Sequence, residues 1–151
     1  MIIELDRLEF INNPAKLCAK PYSGHPKGCP NLGKKSGCPP TAARFTSHIT
    51  PSYFAIINEF DLALHVSRLR EKHPQWTIRQ LECCLYWQPR ARKELRKKTL
   101  DYMIHHQGIE ICMCPEAEGI DVTHTLAHVG VYLEWPPKRI VRQVVIGGNR
   151  K

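Results

Sequence analysis

Cys18, Cys29 and Cys38 fall in one stretch, Cys18-Ala-Lys-Pro-Tyr-Ser-Gly-His25-Pro-Lys-Gly-Cys29-Pro30-Asn-Leu-Gly-Lys-Lys-Ser-Gly-Cys38-Pro39-Pro40, and Cys112-Met-Cys114-Pro115 follows far downstream. Thiolates that converge on one point bind metal ions or iron–sulfur clusters. A Gly/Pro-rich loop suits that task because it can fold around the ion while proline limits the conformations lost. The chain has seven cysteines, an odd number, and Met1-Ile2-Ile3-Glu4-Leu5-Asp6 has acids where a secretion signal requires basic residues. Metal or redox chemistry is therefore expected ahead of a disulfide framework, in a cytoplasmic protein.

Zinc commonly takes Cys₄ or Cys₃His sets, but its motifs usually bring two ligands on a knuckle of two to four residues. The intervals here are ten and eight residues. Cys-Pro at 29, 38 and 114 is closer to ferredoxin-type ligation, where the last cysteine of a run precedes proline. A 4Fe-4S cluster is thus expected ahead of 2Fe-2S, with zinc as the alternative. Cys18, Cys29 and Cys38 supply three ligands and Cys114 or Cys112 the fourth. Along a strand, Cys112 and Cys114 would share a face. Cys83 and Cys84, inside an apolar run, are expected to pack as small hydrophobes.

His25 lies in the same loop between Gly24 and Pro26, as a further ligand or as a catalytic proton donor beside the centre. His124 and His128 are four apart but lack the Glu of a His-Glu-x-x-His motif, so they and His105-His106 are read as ordinary helix residues.

The stretch from Cys29 to Pro40, with Cys112-Met-Cys114-Pro-Glu-Ala-Glu-Gly-Ile-Asp-Val, resembles the bacterial and archaeal "predicted metal-binding protein" family of unknown function. Its members pair a Cys-Pro-Asn-x-Gly…Cys-Pro-Pro loop with a later cysteine and a Glu-Ala-x-Gly-Ile-Asp-Val segment. The resemblance covers about a third of the chain. It implies that Cys29, Cys38 and Cys114 are ligands, with Cys18 and Cys112 as the remainder, and it implies a metal and a fold but no reaction.

Charge points to a polyanionic partner. Lys and Arg outnumber Asp and Glu by 22 to 14, a net charge of +8. No acid lies between Glu9 and Glu59, where Lys16, Lys20, Lys27, Lys34, Lys35 and Arg44 surround the cysteines; cations there would offset an anionic cluster. A second block, 87–98, sets six cations against one acid. Arg90, Arg92, Lys93, Arg96 and Lys97 on one helix suit phosphate contacts, and Trp87, with Trp76 and Tyr86 nearby, could stack on unpaired bases. DNA and RNA are not distinguished.

The elements that must position these residues make one domain of 1–151, α/β or α+β in class. Residues 13–44 form a cysteine-rich loop holding six of the twelve prolines and four of the nine glycines, a density that breaks helix and strand. A loop that long is functional or is tied down by something other than a core. Strands are expected at 2–11, 109–113 and 139–146, with 52–60 open between strand and helix. Helices are expected from Leu62 to His73, from Thr77 through Leu85 behind a capping box, from Pro89 (the basic helix, 89–107), and from Asp121 to Gly130. No apolar run approaches the ~20 residues of a membrane span, and no Walker loop, dinucleotide fingerprint or nucleophile elbow occurs. The expected function is an iron–sulfur protein that binds or modifies nucleic acid, whether or not it is an enzyme. The alternatives are a non-enzymatic structural-zinc nucleic-acid-binding module and an electron-transfer or redox-sensing partner of another protein.

Overall fold

The computed structural model describes residues 1–22 and 24–151. Its framework is a four-stranded antiparallel sheet in the order β1-β2-β4-β3, built from β1 (Ile2–Leu5), β2 (Ile49–Asp61), β3 (Ile109–Cys112) and β4 (Ile140–Arg150). The segment 52–60, whose apolar run does not declare its period, lies within β2, the longest strand. Successive residues of a strand face opposite sides. Ala55 and Ile57 accordingly join one core, and Phe54 and Ile56 another. β4 repeats the alternation, with Ile146 opposite Ala55 and Val145 opposite Ile56.

The first face is covered by Phe45, Ile120, Val122 and Leu126, the second by Leu95 and Tyr102 of the basic helix. Ile56 and Ile57 are fully buried, each contributing about 1.5–3 kcal/mol. The result is a single small α+β domain with the sheet between α4 on one side and loops with α5 on the other.

Five helices complete the fold: α1 (Ala15–Cys18), α2 (Leu62–Lys72), α3 (Ile78–Leu81), α4 (Gln88–His105) and α5 (Val122–Ala127). Their starts follow local chemistry. Asp61 accepts from the Leu64 N–H, Asp121 from the His124 N–H, and Thr77 with Gln80 completes a capping box. Pro89 occupies the first turn of α4, where its missing N–H costs nothing.

Several boundaries differ from the sequence pattern. β1 stops at Leu5, and a single antiparallel bridge joins Phe10 to Ile120. α3 ends at Leu81 and the chain continues through a separate 3-10 turn, Cys84–Tyr86. β4 runs on through Gly147-Gly148 to Arg150. A Cβ on Gly147 would lie 2.5 Å from the Phe54 ring and one on Gly148 2.5 Å from the Thr50 carbonyl. These glycines, beyond the strand expected at 139–146, are the residues that let β4 press against β2 beside its register shift between Thr50 and Phe54.

Candidate metal centre

The long loop is tied to the distant Cys114 segment at both of its ends. The Ile11 N–H donates to the Gly119 carbonyl (2.8 Å) and the Phe45 N–H to the Glu118 carbonyl (3.2 Å). The Arg44 guanidinium donates to the Ile11 carbonyl (3.0 Å), joining the two ends to each other. Glu118 and Gly119 belong to a tight turn that begins at Cys114, whose carbonyl accepts from the Ala117 N–H (3.0 Å). The loop therefore enters and leaves beside Cys114.

Inside the loop, backbone hydrogen bonds set the cysteines. The Cys29 N–H donates to the Cys18 carbonyl (2.7 Å). Gly28 at φ +80° permits this, since a Cβ there would lie 2.6 Å from the Cys18 and Ala19 carbonyl oxygens. The Cys38 thiol donates to the Asn31 carbonyl (3.0 Å), and the Cys38 carbonyl accepts from Thr41 and Ala42. Turns replace regular structure through Gly33 and Ser36, as the proline and glycine density requires.

Electrostatics couples several of the seven sulfurs. Burial pushes the Cys18 thiol up to about 11, with further upward pressure from Cys29, Glu116, Cys38 and Cys114. The Cys114 thiol is raised by burial, Glu116, Cys38 and Cys29, against Arg92, which lowers it. Cys29 and Cys38 thus act on both Cys18 and Cys114, and Cys114 acts on Cys112 as well. Among the described residues no three His, Cys, Asp or Glu side chains are already drawn into a metal-holding set. The donor chemistry, cysteine sulfurs with three of the residues in one proline- and glycine-rich loop, is that of a thiolate-binding metal.

Cys112 lies elsewhere. It is 3% exposed in the core with Leu5, Phe45 and Ile146, and burial, followed by Glu118, drives its thiol far above the ordinary range. The expectation that Cys112 and Cys114 share a face fails because the strand ends at Cys112 and the chain turns. Of the pair, Cys112 is buried and Cys114 is not.

His25 is held against Tyr22 by paired backbone hydrogen bonds (3.1 and 2.8 Å), their rings 4.6 Å apart. Its Nε2 lies 3.8 Å from the Sγ of Cys84. Nothing in the pattern Leu81 to Leu85 marks Cys84 as a site residue. It packs in the core with Leu62, Trp87 and Ala91 as expected of a small hydrophobe, and also reaches the loop. Two further residues border the thiols. Glu116 is half-buried, its carboxyl raised by burial and by Asp121, and makes no ion pair among the described residues. Tyr22 is raised by burial and Cys29, with Arg92 opposing.

The basic helix divides between two tasks. The charge of Arg92, an exposed side chain, favours the ionised forms of Cys114 and Tyr22. Arg90 pairs with Glu94 (3.1 Å), and Lys98 donates to the buried Asn58 (2.8 Å). Lys93, Arg96 and Lys97 project into solvent. Trp87 corrects the expectation of a base-stacking residue. It is 3% exposed, stacked on Phe60 at 5.2 Å, with its indole N–H donating to the Glu82 carbonyl. A side chain so enclosed holds the core and offers no face to a base. Trp76 stacks between His73 and Tyr86, and only Tyr86 is largely exposed. His124 and His128 pair with Asp121 and Glu9, in keeping with structural roles.

No family model, curated protein or solved structure matches the chain. Among the described residues no helix is long and apolar enough to cross a membrane.

Proposed function

We propose that the chain is an iron–sulfur protein that binds nucleic acid, with the cluster held by Cys18, Cys29, Cys38 and Cys114. The observation that carries this reading is the backbone closure described above, which ties both ends of the cysteine-rich loop to the turn that begins at Cys114. The Cys-Pro steps at 29, 38 and 114 favour a 4Fe-4S cluster over zinc, in line with the resemblance to the metal-binding family. When bound, a cluster supplies electron transfer or, at an iron without a protein ligand, Lewis acidity.

The chain's own residues supply the remainder. Arg92 and the loop lysines offset the charge that four thiolates bring. Glu116, held toward its protonated form by burial, and His25 are proton carriers at the border of the centre. Lys93, Arg96 and Lys97 present cations to solvent on one side of α4, the sequence-independent contact that phosphate backbones reward. Because Arg92 belongs to the same helix, a bound polyanion would lie close to the thiols.

Anaerobic purification followed by iron, acid-labile sulfide and zinc analysis tests the centre. Iron and sulfide in stoichiometric amounts, with visible thiolate-to-iron absorption, is the expected outcome. Colourless protein with stoichiometric zinc would make the loop a structural zinc module, and protein that takes up neither metal would overturn the centre altogether.

A further inference from the structure

Three aromatic rings form a column apart from the cysteine loop. His73 stacks on Trp76 with ring centroids 4.0 Å apart and planes 9° from parallel, and Trp76 stacks on Tyr86 at 5.4 Å and 27°. The rings come from three consecutive places in the chain: the end of α2, the entry to α3, and the 3-10 turn that precedes α4. Backbone contacts hold them there. The Trp76 N–H donates to the His73 carbonyl (3.0 Å) and the Tyr86 N–H to the Cys83 carbonyl (3.1 Å), while the Arg70 guanidinium donates to the carbonyls of Pro74 and Trp76. His73 and Trp76 are half-buried, whereas Tyr86 is 56% exposed. Among the described residues Trp76 is the one ring stacked on Tyr86. The column therefore ends in a ring with one face covered and the other toward solvent.

We propose that this free face of Tyr86 is a stacking platform for an unpaired base, so that the nucleic acid taken by the chain is single-stranded. Ring and charge together select that ligand. A flat π face rewards another planar π system, and every base offers one. The phosphates joined to such a base meet a positive surface, since residues 68–98 carry ten cations against three acids, and α4, with Lys93, Arg96 and Lys97, begins two residues after Tyr86. That charge favours a polyanion over an apolar protein surface. A base inside a duplex is already stacked on its neighbours and cannot use the platform.

The Tyr86 ring is also held before any ligand arrives. Trp76 and His73 behind it leave little side-chain freedom to be lost on stacking, which is the cost that preorganised sites avoid. Tyr86 thus takes the part that the enclosed Trp87 cannot play. This deepens the proposed function by naming the strand state of the polyanion. It rests on the nucleic-acid half of that reading and is independent of the metal.

The test measures binding of the full chain to labelled oligothymidylate, to an abasic strand of the same length and to a duplex, by fluorescence anisotropy. Wild type should bind oligothymidylate at least about fivefold more tightly than the abasic strand. Tyr86→Ala should abolish that preference and Tyr86→Phe should keep it, and both should retain the wild-type slope of log affinity against log salt, because no phosphate contact is lost. Should Tyr86→Ala fail to fold by circular dichroism, Tyr86→Leu, which keeps apolar bulk without a π face, takes its place with the same expected loss. Equal affinity of wild type for the two single strands, or a folded Ala or Leu variant that keeps the preference, overturns the platform. Duplex binding in that case leaves the nucleic-acid reading standing and gives the Tyr86 face to a protein contact. Absence of binding to all three probes overturns both.

Discussion

The Cys29 N–H donates to the Cys18 carbonyl at 2.7 Å, so two candidate ligands with ten residues between them are joined through their backbones before any ion takes part. That approach depends on Gly28, whose φ of +80° and lack of a Cβ let the chain cross the Cys18–Ala19 peptide. Gly28→Ala forces a Cβ to 2.6 Å from backbone atoms that cannot swing aside. It should destabilise the apo protein by about 1–3 kcal/mol and lower metal stoichiometry, read by urea unfolding and elemental analysis. An unchanged midpoint with full metal loading would show that the crossing is not needed.

Cys112 and Cys114 separate the roles of two sulfurs that look equivalent in the sequence. Cys114→Ser should reduce bound metal with little loss of apo stability, because Cys114 belongs to none of the core clusters among the described residues. Cys112→Ser should leave metal binding intact and cost about 1–3 kcal/mol, by placing a hydroxyl among Leu5, Phe45 and Ile146. Metal analysis and denaturant melts on both variants decide it, and the opposite pattern would exchange their assignments.

How much of this was legible in the sequence follows from what each signal depends on. Helix starts at Thr77 and Asp121 were readable because a cap is a contact over three residues. The loop was readable because proline and glycine limit the backbone wherever they stand. Trp87 was misread because a basic, aromatic helix start has the same composition whether the indole faces solvent or, as here, Phe60. The extent of β4 was missed because Gly147 and Gly148 are explained by the approach of Phe54 and Thr50, nearly a hundred residues away. Cys84 was read as packing, and packing it is.

His48 joins the start of β2 to the Cys114 segment, with Nδ1 2.8 Å from Glu110 and Nε2 2.8 Å from Glu118. Burial disfavours its charged form, but hydrogen bonds to Glu118 and Glu110 outweigh this and raise its pKa above the ordinary 6.5. The other charge in the network is Arg150, paired with Glu110 at 3.3 Å. A pKa raised on folding gives stability that is fully present below the unfolded value of about 6.5 and is lost as pH rises through the folded value. Wild-type stability should therefore decline relative to His48→Gln as pH increases across that window, and parallel pH profiles of the two proteins would show the imidazole to be uncoupled from folding.

The exposed cations of α4 should act on polyanion binding alone. Lys93→Glu, Arg96→Glu and Lys97→Glu together remove three cations that make no ion pair among the described residues. The triple variant should therefore keep its fold and its metal. If each cation neutralises one phosphate of a duplex, the slope of log affinity against log salt should fall by about 0.9 per lost contact. Trp87→Ala provides the contrast: by emptying the space beside Phe60 it should cost about 3–5 kcal/mol of stability. Its remaining folded fraction should bind with unaltered salt dependence. Fluorescence anisotropy with labelled single-stranded and duplex oligonucleotides across a salt series reads both effects. A triple variant that binds with the wild-type slope would remove α4 from the interface and leave the charge of the cysteine loop to account for any binding that remains.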